Sequence, residues 1–269
     1  MSTGPEIMLA QENSIHSAVA DFESTLAMSY HRHEMRRFGF RKVLKIFLVL
    51  ILAAFVLGIG YSFVFPKIAR LEKENPKLTS FMKHRLDQAR KQGQKLEIQQ
   101  SWIPLSRISP YLVHAVVIAE DDKFWGHKGF DLEAIRAALE KNIEKKTWKY
   151  GGSTITQQLA KNLFLSPSRS PLRKIREFIL AWRLERTLSK KRILELYLNV
   201  VEWGDGIFGA EAAARHYYNQ PASDLTPQEA AHLAVVLPSP RRYNPLSGSK
   251  YIESRAEEIY EIMLKRGII

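Results

Sequence analysis

The sharpest contrast between apolar and polar positions lies near the start of the chain. Ile46 to Phe65 is an uncharged run of twenty residues, and from Val43 to Phe65 only Lys45 carries a charge. At about 1.5 Å rise per residue, such a run crosses the roughly 30 Å hydrocarbon core of a bilayer. A secretory leader has a shorter apolar stretch of about 7–15 residues that closes on small side chains. This run instead continues into Tyr61, Phe63 and Phe65. A core helix rarely lacks polar positions for so long. The pattern predicts a transmembrane helix over 43–65, after a cytoplasmic tail over 1–42 whose first thirty residues read as disordered.

Past the membrane the period becomes helical. Leu78, Phe81, Met82, Leu86 and Ala89 stripe a juxtamembrane helical segment, 66–94, that stops at Gly93. Leu96 to Ile108 reads as a short extended approach to the main domain, 95–269. Asp131 caps a helix with apolar positions Leu132, Ile135, Leu139 and Ile143. Thr154 to Gln157 has the form of a capping box. Ser170-Pro171 opens a long helix through Leu188. Ile193, Leu196, Tyr197 and Val200 stripe another helix, and Thr226 to Glu229 opens one that runs to Leu237. No series of alternating strands appears, so the exported domain is expected to be mainly α.

Charge adds orientation. Arg32, Arg36, Arg37, Arg41, Lys42 and Lys45 crowd the N-terminal flank of the apolar run, which places that flank inside the cell. The net charge of +12 suits an anionic substrate or lipid surface. Nucleic acid is not expected to meet an outward-facing domain. The absence of cysteine decides little.

Three clusters carry candidate chemistry. Glu120-Asp121-Asp122 follows the apolar run Val113 to Ala119, and desolvation there raises a carboxyl's pKa toward that of a useful base. The bland reading of three acids is a solvated turn. Gly151-Gly152-Ser153-Thr154 opens a helix on which Thr154, Gln158 and Lys161 share one face. Its glycines and helix N-terminus suit an approaching anion, though an ordinary capped helix fits as well. Arg173 and Glu177 stand four apart, as a surface ion pair or as a second carboxylate in the cleft of Glu120.

The ordered set is more specific than any one cluster. Glu120-Asp121 with Phe124, His127 and Gly129 comes first, then Gly152 to Leu159 with Lys161, and then Arg173-Lys174 with Glu177. Lys191 to Asn199, Gly204, Gly206, Gly209 and Ala212-Ala213 complete it. Over about residues 95–245 this resembles the peptidoglycan glycosyltransferase family, the lysozyme-like transglycosylase module of class A penicillin-binding proteins. Ser247-Gly248-Ser249-Lys250 matches the short acyl-transfer motif of bifunctional members, but only nineteen residues follow it. The chain therefore looks like the monofunctional biosynthetic form.

The resemblance implies a lysozyme-like helical domain in the cytoplasmic (inner) membrane that joins lipid II to a lipid-linked glycan strand. Glu120 would be the general base, and undecaprenyl pyrophosphate would leave. Lys161, Arg173, Thr154 and Gln158 match substrate-binding positions, with Asp121, Phe124 and His127 shaping the first site. Glu177 matches the second catalytic carboxylate, in a role left open between acid, structural partner and ligand of a divalent cation. No cofactor is implied as obligatory, with magnesium or manganese at the pyrophosphate as the option. Cell-wall synthesis proteins are the implied partners. Lys141 to Tyr150 reads as a mobile lip. The rivals are a lytic transglycosylase or lysozyme-like hydrolase, and a non-enzymatic basic membrane adaptor.

Overall fold

The computed structural model describes residues 44–147, 151–168 and 170–269, together with Phe22, Ser24, Leu26, Met28 and Lys42. Apart from those single positions the expected disordered tail lies outside the described residues, and so do residues 148–150 of the expected lip. Ile59–Ile269 forms one compact unit, and the residues up to Gly58 fall in another.

The apolar run forms helix α1, residues 44–64. Of the apolar window in Leu44–Glu72, only 6% is buried within the protein. A helix of leucine, isoleucine and phenylalanine satisfies its backbone internally, but among the described residues most of its side chains are left uncovered. A bilayer is the solvent that suits it, and a soluble core helix would be covered instead.

Residues 66–94 do not form one helix. A short 3-10 turn, Ile68–Glu72, precedes α2, Ser80–Lys91. Pro76 lies between them and disfavours helix at the residue before it. Thr79 caps α2 by accepting from the Met82 amide at 3.1 Å. The helix stops short of Gly93, whose φ of 68° suits glycine. This segment belongs to the same unit as the main domain. Arg85, 5% exposed, donates to Glu202 at 2.9 Å and also pairs with Asp205. Burial raises the Glu202 carboxyl above its ordinary pKa, against the pull of Arg85. Replacing Arg85 by Ala would strand that carboxylate, and chemical denaturation should register a loss of about 3–5 kcal/mol. A loss below about 1 kcal/mol would mean that the pair behaves as a solvated one.

The domain is mainly α, as the spacing predicts. Helix α3, Pro110–Glu120, is central: Leu112, Ala115 and Val116 are fully buried, and it packs against α9, Pro227–Val236, and α10, Lys250–Lys265. Helix α5, Ile155–Phe164, packs on α2, α6 (Pro171–Thr187) and α7 (Lys190–Val200). The capping boxes expected at Thr154 and Thr226 are both formed. Ser249, in the Ser247-to-Lys250 stretch, caps α10.

Helix α4, Leu132–Glu144, is where Asp131 predicts it, and the aspartate accepts from the Ala134 amide at 2.8 Å. Its apolar stripe is not a core face, however. Leu132, Leu139 and Ile143 are 76%, 47% and 67% exposed. Periodicity finds the helix but cannot say that a neighbour covers it.

A small sheet was not legible in the sequence. Strands β1 (Gln99–Gln100), β2 (Glu202–Gly204) and β3 (Ile207–Phe208) lie in the order β1-β3-β2, with β1 parallel and β2 antiparallel to β3. Beside the sheet, Asn199 joins α7 to the approach segment, accepting from the Ile103 amide at 3.0 Å and donating to the Ile103 carbonyl at 2.9 Å. Helix α8, Ala210–Tyr218, starts at Gly209, where φ is 85° and a Cβ would come within 2.8 Å of the Asn199 carbonyl oxygen. Only glycine lets the two segments meet so closely.

Candidate active site

Glu120 is the last residue of α3, so a rigid, buried helix aims its carboxyl. The chain turns sharply at Asp121, leaving Glu120 at the edge of the core. Its Oε2 accepts from the side-chain amide of Gln158 at 2.6 Å. The Gln158 carbonyl oxygen accepts in turn from the Tyr197 hydroxyl at 3.1 Å. Tyr197 is fully buried, and burial first, then Glu120 and Asp121, push its phenol well above its ordinary pKa. The phenol thus stays a donor. That fixes the orientation of the Gln158 amide and turns its N–H toward Glu120. By spacing alone Tyr197 belongs to an apolar stripe. The available signal was that a buried tyrosine hydroxyl requires a partner.

Burial is the main reason that the Glu120 carboxyl sits above its ordinary pKa, and Asp121 adds to the rise. Gln158, Lys161 and Arg255 oppose it. Lys161 shows the converse. Burial lowers its ammonium below the ordinary lysine value, Arg173 and Lys174 push the same way, and Glu177 and Glu120 resist. Lys161 thus lies in the fields of both glutamates.

Glu177, 3% exposed on α6, is held by Arg173 on one oxygen and Lys174 on the other. Lys174 also donates to the Ser153 hydroxyl at 3.1 Å, which joins this cluster to the loop ahead of α5. The Arg173 Nε is buried with no partner among the described residues. Beside these groups a cleft of about 340 Å³ is lined by Gln158, Lys161 and Asn162, and faced by Ser239, Arg241 and Arg242.

The remaining expected site residues sit behind this surface. Asp121, 7% exposed, accepts from the Ile155 amide at 2.9 Å and from His127 Nε2 at 2.9 and 3.0 Å. Because His127 Nδ1 accepts from the Gly129 amide at 3.0 Å, the ring proton lies on Nε2. Thr154, 2% exposed, caps α5 and donates to the Gly129 carbonyl at 2.7 Å. Phe124 is fully buried, with the Lys190 ammonium 4.3 Å from its ring centroid.

Two details correct the expectation of an anion at the glycine loop. The α5 N-terminus already holds one, since Asp121 accepts the Ile155 amide there. Gly152 is required by packing, because a Cβ on it would lie 2.7 Å from the Ile135 Cα of α4. Gly151 faces no such neighbour among the described residues.

No group of three or more His, Cys, Asp or Glu side chains among the described residues is arranged to hold a metal ion. The two oxygens of Glu177 are each committed to a cationic side chain, so a divalent ion there would have to displace both.

Residues 87–264 match the family model described as Transglycosylase. The chain is 53% identical over 201 residues to a biosynthetic peptidoglycan transglycosylase of Azoarcus sp. (strain BH72), covering 74% of this chain and 87% of that protein. A protein of the same name from Nitrosospira multiformis is 45% identical over 225 residues, 83% of this chain and 96% of the relative. One from Aromatoleum aromaticum is 55% identical over 176 residues, 65% and 76% of the two chains.

Proposed function

The chain belongs to the transglycosylase family, and on that premise we propose that it polymerises lipid II into β-1,4-linked peptidoglycan strands with Glu120 as general base. The observation that carries the mechanism is the desolvated Glu120 carboxyl, aimed by Gln158 and lying in the field of the Lys161 ammonium.

In this reading the 4-hydroxyl oxygen of the acceptor sugar attacks the anomeric carbon of the lipid-linked donor strand. Its proton passes to Glu120, the bond from the anomeric carbon to the phosphate oxygen breaks, and undecaprenyl pyrophosphate leaves with the electron pair. Attack opposite the leaving group converts an α-linked donor to a β product. Burial gives the carboxylate the basicity for this proton transfer. Negative charge develops on the pyrophosphate as it leaves. Lys161 and Arg173 are the cations assigned to it.

Glu177 keeps Arg173 and Lys174 in place. Asp121, His127, Phe124 and Thr154 act as positioning residues that hold the Glu120 turn against α5. Membrane anchoring by α1 keeps the enzyme in the plane of lipid-linked substrates and raises their encounter frequency. The basic flank is assigned to the cytoplasmic side and the domain that follows α1 to the outside.

The relatives' biosynthetic name favours synthesis over cleavage. Incubated with lipid II, the protein should build polymer, whereas polymeric glycan supplied alone should keep its length. Shortening of the glycan without growth from lipid II would establish the hydrolase reading instead.

The shifted pKa values set the pH profile. Glu120 works ionised, so kcat/KM should fall as pH drops through its raised pKa, with the acid limb above the ordinary glutamate value of 4.5. Lys161 works protonated, so the alkaline limb should lie below the ordinary lysine value of 10.5. Rates that stayed flat down to pH 4.5 would contradict a buried glutamate base.

A further inference from the structure

Within the unit from Ile59 onward, the end of α1 is fastened to α6 by two arginines. Arg176 Nε donates to the Ser62 hydroxyl at 3.0 Å. Arg183 donates to the carbonyls of Ser62 at 3.0 Å, Val64 at 3.2 Å and Pro66 at 2.9 Å. These carbonyls lie at and just past the end of an apolar helix, where no further turn follows, so the arginines fasten the end of α1.

Beside this junction lies a cavity of about 750 Å³ with two unlike sets of lining side chains. One is aromatic: Tyr61 and Phe65 stack at 4.9 Å between ring centroids, and Phe164 from the end of α5 joins them. The other is cationic, formed by Lys67, Arg70 and Arg176 against the single carboxylate of Glu74. Lys67 and Arg70 are exposed and take part in no ion pair among the described residues. Arg176 uses only its Nε in a hydrogen bond among them. None of the three belongs to the cation set around Glu177.

We infer that this cavity binds the anionic head of a phospholipid of the surrounding bilayer, with phosphate at Lys67, Arg70 and Arg176 and acyl chain along the aromatic side chains. The argument is charge complementarity combined with position. Three cations face one acid where a membrane-spanning helix ends, which is the level of the lipid phosphates. A free phosphate would leave the aromatic side chains unused. The inference rests on the membrane-anchored reading of α1, and not on the glycosyl-transfer mechanism.

The test uses the full chain in nanodiscs of phosphatidylcholine with a rising fraction of phosphatidylglycerol, and no lipid II. Retained phospholipid is counted by native mass spectrometry. The parent should retain phosphatidylglycerol in preference to phosphatidylcholine. The Lys67→Gln/Arg70→Gln double variant should lose about twenty-five-fold in apparent affinity, at about fivefold per cation near the surface. Equal retention of the two lipids by the parent, or an unchanged preference in the double variant, would overturn the proposal. So would displacement of phosphatidylglycerol by stoichiometric undecaprenyl pyrophosphate, which would give the cavity to the substrate's lipid. Flotation of the parent with neutral vesicles is measured beside these. Its failure would overturn the membrane reading and the proposal together, and neither result depends on whether the same preparation polymerises lipid II.

Discussion

Replacing Glu120 by Gln should lower the rate of lipid II polymerisation by about 10²–10⁴-fold, the usual contribution of a general base. The amide matches the carboxylate in shape, so the Gln158 side chain keeps an acceptor at that position and the end of α3 keeps its packing. Thermal unfolding should therefore be almost unchanged, and KM should move little, because the base acts on the transition state. The acid limb of the pH profile should vanish with the carboxyl. Glycan synthesis within a few-fold of the parent would remove Glu120 from the reaction.

Replacing Lys161 by Ala should have the second largest effect, about 10²–10³-fold in kcat, as when one preorganised donor is taken from a developing anion. The ammonium is largely desolvated and lies in the fields of Glu120 and Glu177. Loss of its charge removes attraction for the pyrophosphate and also leaves Glu120 with one cation fewer. The acid limb should therefore move to still higher pH, a second readout that a packing defect would not produce. Lys161→Arg should recover part of the rate. Unchanged donor kinetics in the alanine variant would place the phosphate site elsewhere.

Much of the helical frame was legible because its signals are local. Thr154, Ser170 and Thr226 cap the helices that their sequence positions announce, and a cap needs only its own next three residues. The site was legible as an ordered set of polar residues, but the task of each residue was not. Thr154 looks like a ligand contact in the sequence and Asp121 like a residue that shapes the site; both are nearly buried in the fold, because their partners, Ile155, His127 and Gly129, are set by how the loop after α3 returns to α5. Gly152 suggested an anion cradle, whereas the close approach of Ile135 is what requires it. Tyr197 was hidden by the opposite error, since an apolar stripe says nothing of where one hydroxyl in it points. Strands of two and three residues are too short to show alternation. The exposed stripe of α4 marks the same limit, because a periodic face is a local fact and burial is not.

The most direct test of the account is a single incubation of labelled lipid II with the full chain in a bilayer, run beside the Glu120→Gln variant. The prediction is a polymer from the parent that a β-1,4-specific muramidase degrades, with undecaprenyl pyrophosphate released in step and almost none of either from the variant. Polymer from both proteins at similar rates, or a parent product that resists the muramidase, would contradict inverting transfer by Glu120.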